Sequence, residues 1–175
     1  MSVANHNDDK NERGDSSLCC EEFDPKLWDE KEITWNEKPF VKESTWCFLH
    51  IPLNFGGATT RAMRKIEAAQ ASVPPKDFVL LADMISPWSS RIFCSVTKDD
   101  IPGAQVEKIS GTFLVKVFEG PYKDFDKWIP SMQEFVKKEK GLDVQGKDMY
   151  AQYGTCPRCS EKYGKNYVAL WVKVA

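Results

Sequence analysis

The sequence predicts an α+β protein built from two pseudo-symmetric strand–helix–strand–strand units. They share an antiparallel sheet, with the helices on one face. Three observations predict this. Between Gly111 and Val136 a period-two run, in which Phe113, Val115 and Val117 alternate with Leu114, Lys116 and Phe118, breaks at Glu119-Gly120-Pro121. Beyond the break Phe125, Trp128, Ile129, Met132 and Val136 form one helical stripe. An earlier passage has the same order: the strand-like run Trp46–Leu53, then a helical pattern ending near Val73-Pro74-Pro75. Each passage is followed by two short segments of strand character, Asp77–Met84 with Arg91–Thr97 and Met149–Tyr153 with Tyr167–Val174. The halves share element order, not sequence.

Taken in order, residues 1–17 are charged and poor in apolar side chains, the composition of a disordered tail, and 18–175 form a single domain. Leu18–Val41 carries Phe23, Trp28, Ile33, Trp35 and Phe40 among many charges. It reads as a short strand pair or an irregular arm anchored by its aromatics. Trp46–Leu53 is the first clear strand. Asn54-Phe55-Gly56-Gly57 reads as a turn, with Thr59 or Thr60 capping the helix that bears Met63, Ile66 and Ala69. Glycine and proline at 120 and 121 force the corner of the second unit. Lys137–Gly146 reads as a solvated linker, and Thr155–Gly164 as a long loop between the last two strands.

The totals exclude several classes. The 175 residues carry 42% hydrophobic and 29% charged side chains, enough for one real core. A net charge of −2, with lysine and arginine scattered, argues against nucleic acid as a partner. No apolar run approaches the ~20 residues that span a bilayer, so no membrane partner is expected. The polar N-terminus lacks the apolar stretch of a signal peptide, so the expected location is cytoplasmic. No cofactor is called for, and a monomer or a homodimer is expected.

Alternation also sorts the faces. Val168, Leu170, Val172 and Val174, with Ile92, Cys94 and Val96, should meet the helices. The opposite face then carries Trp171, Phe93, Phe118 and His50, with either Tyr150 and Gln152 or Met149 and Tyr153. Rings with isolated polar groups are the chemistry of a small-molecule pocket. The alternative is a second hydrophobic layer under the N-terminal arm.

Three residue sets are candidates for chemistry. Glu119 ends an apolar strand, where partial desolvation would suit a carboxylate to acid–base work or to a ligand cation; the alternative is a cap on the following turn. His50 titrates in the range of proton transfer, but a lone strand histidine also serves as hydrogen-bonded core. Cys156-Pro157-Arg158-Cys159 is a CxxC that can be structural, a redox dithiol or part of a metal site. No second CxxC or CxxH accompanies it.

Phe118-Glu119-Gly120-Pro121-Tyr122, Trp128, Tyr150 to Tyr153 and Tyr167 to Val174 together resemble the C-terminal half of the GyrI-like small-molecule-binding fold. The stretches FDPKLWDEKEITW, HIPLNFGGATTRAMRKIEAA, GTFLVKVFEGPY and CPRCSEKYGKNYV resemble a stand-alone branch of it labelled as hydrolases. The resemblance implies paired strand–helix–strand–strand units with a ligand cleft, in which aromatic residues sandwich a flat guest and a buried glutamate binds or activates it. Glu119 is the candidate glutamate, and Trp128, Tyr150, Tyr153 and Trp171 are candidate cleft residues. The implied guest is a hydrophobic or cationic aromatic small molecule. The implied activity is hydrolysis in detoxification of xenobiotics or natural products, with non-catalytic sequestering of drugs as the alternative.

Overall fold

The computed structural model describes residues 20–48, 51–83, 86 and 88–175. The tail at 1–17 and His50 lie outside the described residues. In chain order the elements are β1 (Lys31–Phe48), β2 (Ile51–Pro52), α1 (Phe55–Ala68), β3 (Leu80–Asp83), β4 (Ser89–Ser95), β5 (Gln105–Glu119), α2 (Phe125–Lys140), β6 (Met149–Tyr153), α3 (Pro157–Tyr163) and β7 (Tyr167–Lys173). The class is α+β, and every strand pairing is antiparallel.

Six strands close on themselves in the order β1-β4-β3-β6-β7-β5, because β5 pairs back onto β1. Closure removes the exposed edges of a sheet. β1 is long enough to serve two neighbours. Its first part, Lys31 to Trp35, lies against Val115 to Gly111, and its later part lies between β4 and the start of β5. A register shift between Trp35 and Lys38, with Glu37 at φ 48°, bends the strand around the barrel.

The alternation read from the sequence sorts the side chains of β4 and β7 correctly, but Phe118, expected on the face opposite the helices, packs under α2. Val168, Leu170 and Val172 pack with Trp128, Met132 and Val136 of α2. Ile92 and Cys94 pack with Ala58, Ala62 and Ile66 of α1. Both helices therefore cover the outer surface of the barrel. The inward residues, among them Trp35, Phe40, Phe93, Phe113 and Trp171, fill its interior. Trp35 stacks on Trp171 at 4.9 Å between ring centroids, and the Trp171 indole N–H donates to Gln152 Oε1 at 2.9 Å. Trp28 of the N-terminal arm packs on Trp171 at 5.5 Å.

Several expectations are corrected here. The face opposite the helices is not free: closure turns it into a filled core, so Phe93 and Trp171 are packing residues rather than pocket walls. Of the two readings of that face, the hydrophobic layer beneath the arm is the one the packing follows. The first strand begins at Lys31, not Trp46, and runs through a register shift between Trp35 and Lys38. Helix α1 begins at Phe55 and takes Gly56 and Gly57 into its first turn, and Thr60 Oγ1 donates back to the Gly56 carbonyl at 2.8 Å instead of capping. The 155–164 segment contains α3. The corner stands as read: Gly120, at φ 144°, turns β5 away from the sheet ahead of α2.

Trp171 tests the filled interior. Trp171→Ala is expected to cost about 3–5 kcal/mol of unfolding free energy, measured by urea denaturation at unchanged m-value. A loss below about 1 kcal/mol would mean an open interior.

Candidate functional site

A large cavity among the described residues lies on the outer surface between the two helices. There the short strands β3 and β6 meet, Ala82 opposite Ala151, and Ala82 lines the cleft with a small side chain. Phe55, Thr59, Met63 and Ile66 of α1 stand on one side, Phe125 and Ile129 of α2 and Tyr122 of the corner on the other, and residues 20–24 of the arm border one end. The cleft so formed has a volume of about 1740 Å³. Its walls are mainly apolar.

Tyr153, the last residue of β6, joins the two sides. Its ring meets Phe55 edge-on at 5.3 Å and Tyr122 at 5.7 Å. Burial pushes its phenol up to about 12 from an ordinary 10.0, so it is a neutral hydrogen-bond donor at physiological pH. The Tyr122 phenol is also raised, first by burial and then by the neighbouring Cys156 and Cys20.

The buried carboxylate bordering the cleft is Asp83, at the end of β3 and directly opposite Tyr150. Its Oδ1 accepts from the Arg91 backbone N–H at 2.9 Å, and its Oδ2 accepts from the Arg91 Nε–H. That bond, ahead of all other causes, raises the Arg91 guanidinium further above its usual range. Thr59 Oγ1 lies buried in the α1 wall with no hydrogen-bond partner among the described residues.

The expected site residues fall into separate places. Tyr153 and Cys156 line the cleft. Phe118 and Trp128 stack on each other at 5.7 Å in the layer between α2 and the barrel. Tyr150 is turned toward the barrel core, its ring edge-on to Phe93 at 6.0 Å, and Trp171 lies within that core. Glu119 is exposed at the end of β5, opposite Tyr167, and is not among the residues lining the cleft. Cys159 is fully buried beside Cys156.

Asp83, Thr59, Phe55, Tyr122 and Cys20 were missed as site residues. For Asp83 a signal existed. A carboxylate ending the apolar run Leu80-Leu81-Ala82 has the same form as Glu119 ending its strand. Tyr122 stood within the corner motif. Nothing local marks Cys20.

Fold and site thus define an α+β barrel with an apolar cleft between two outer helices. Residues 10–174 match the family described as bacterial hydrolase, and the chain belongs to that family. No curated protein matches it. Among the described residues no helix is long and apolar enough to cross a membrane.

The raised Tyr153 phenol yields a signed pH dependence. The folded state holds this proton more tightly than the unfolded state, so the associated stability is complete below pH 10 and disappears as pH rises toward 12. Ultraviolet titration should show one phenol ionising near the upper value, and Tyr153→Phe should remove that step. A Tyr153 titrating at 10.0 would show that the cleft floor is open to water.

Proposed function

We propose that the chain is a GyrI-like small-molecule-binding protein, a hydrolase of hydrophobic or cationic aromatic compounds, with the cleft between α1 and α2 as its binding site. The observation that carries this reading is the cleft itself: an apolar hollow with aromatic walls and a buried carboxylate at its border. Its volume of about 1740 Å³ admits a polycyclic guest. Membership of a hydrolase family supports the reaction class.

The strand pairings support the pseudo-symmetric part of the reading. Exchanging β1 with β5, β3 with β6 and β4 with β7 maps the pairings of the six barrel strands onto themselves. The cleft then lies on the β3·β6 pair, where the two units join, each unit supplying one helix as a wall.

Within the cleft, the rings of Phe55, Tyr122 and Tyr153 hold the flat part of the guest. Asp83 holds a water against the electrophilic carbon and accepts its proton as the new carbon–oxygen bond forms; the bond from that carbon to the leaving atom breaks, and the proton passes from Asp83 to the leaving atom, which restores the carboxylate. Arg91 fixes the carboxylate through two bonds, so it is oriented before the guest arrives. Glu119, exposed and outside the lining, is left without a part in this scheme.

Asp83→Asn is expected to lower hydrolysis of a hydrophobic aryl ester or a strained-ring compound by about 100-fold or more, while binding of a cationic aromatic dye persists. Glu119→Gln should leave the rate unchanged, and Tyr153→Ala should weaken the dye about tenfold. The reverse pattern, with Glu119→Gln inactive and Asp83→Asn unaffected, removes Asp83 from the chemistry.

A second reading is sequestering without turnover. The engagement of both Asp83 oxygens by Arg91 favours it, since a carboxylate so held has less to offer a water. Tight dye binding with no product from any ester, amide or strained ring would establish it.

A further inference from the structure

We propose that Cys20, Cys156 and Cys159 form a zinc site that clamps the N-terminal arm to the end of the cleft. The three sulfurs lie within 4.8 Å of one another. Thiolates sharing a tetrahedral zinc at about 2.3 Å stand roughly 3.8 Å apart, so a small inward movement seats the ion. This inference does not depend on the catalytic reading above.

The cluster is assembled from distant parts of the chain. Cys156 directly precedes α3 and Cys159 lies in its first turn, which brings both sulfurs to one side. Cys20 arrives from a point 136 residues earlier. Independent contacts bring it there. The Tyr163 hydroxyl donates to the Cys20 carbonyl at 2.8 Å. The ring of Phe23 lies so close to Gly154 that a Cβ there would stand 2.8 Å from it, and it meets the Tyr167 ring at 5.7 Å. The arm is thus held by packing, and its thiol is delivered onto the CxxC.

Chemistry selects a metal over a simple redox pair. A dithiol needs two sulfurs, and here a third is placed on them from another element. The Cys156 backbone N–H donates to Cys20 Sγ at 3.4 Å, a bond that favours the thiolate, the form that binds metal. Cys159 is fully buried, where an anionic sulfur is costly without a cation. A three-thiolate set is soft, which suits zinc and disfavours calcium or magnesium. Cys20 and Cys156 line the cleft while Cys159 does not, so the fourth zinc position is reached from the cleft side and is left to water or a guest.

Metal analysis of the full chain, expressed with zinc and purified without chelator, tests this. About one zinc per chain is expected, falling at least tenfold in Cys156→Ser, Cys159→Ser and Cys20→Ser. Cobalt(II) added to the stripped, reduced chain should give the intense thiolate-to-metal absorption of tetrahedral sulfur ligation. Cys19→Ser should keep its zinc. Circular dichroism would confirm that each variant folds. Cys20→Ser, altering only the arm, retains a test if the CxxC variants do not. Wild-type chain without zinc and without cobalt absorption would overturn the proposal, as would zinc retained by folded Cys20→Ser or lost from folded Cys19→Ser. So would a Cys156–Cys159 disulfide as the state of the freshly purified chain.

Discussion

The pairing of β5 with β1 is the constraint from which the rest of the architecture follows. Without it the strands would form an open sheet with a helix face and a bare face, and the aromatic side chains of the bare face would meet water. With it, that face becomes an interior, and Trp35, Phe40, Phe93, Phe113 and Trp171 pack against one another. Large rings suit this space because each buries much apolar area and tilts to fit its neighbours. The Trp171 indole N–H is the polar liability of such a core, and Gln152 satisfies it.

Closure also decides where a guest could go. A filled barrel offers no lumen, and the large cleft among the described residues lies where the outer layers fail to meet. Helices α1 and α2 each cover their own half of the wall. The strands between them, β3 and β6, are the short ones and present Ala82 and Ala151. The cleft is thus a consequence of two helical covers that leave the β3 side of this seam, at Ala82, uncovered. Tyr153 is then shared by both covers, which accounts for its burial and its raised phenol.

Much of this was legible in the chain. The corner at Gly120-Pro121, the helical stripe of Trp128, Met132 and Val136, and the inward–outward sorting of β4 and β7 all follow from local periodicity, and the structure has them. What was not legible is non-local. Whether a face bearing Phe93 and Trp171 is a wall or a core depends on whether the sheet closes, and no period in one strand reports that. The length of β1 was hidden because its pairing slips between Trp35 and Lys38, so the segment read as an arm and the strand that followed read as separate. Cys20 carried no local signal because its meaning comes from Cys156, far along the chain. The candidate carboxylate was sought at the end of β5, where the residue is exposed. The buried one ends β3, in the other half of the element order.

The most direct test of the account is where a bound guest lies. A crystal structure of the chain with a cationic aromatic dye should show the ring system between α1 and α2, against Tyr153 and within reach of Asp83, with the barrel interior unchanged. A dye seated inside the barrel among Trp35, Phe93 and Trp171, or on the exposed Phe48 and Trp88 surface with the cleft empty, would contradict it.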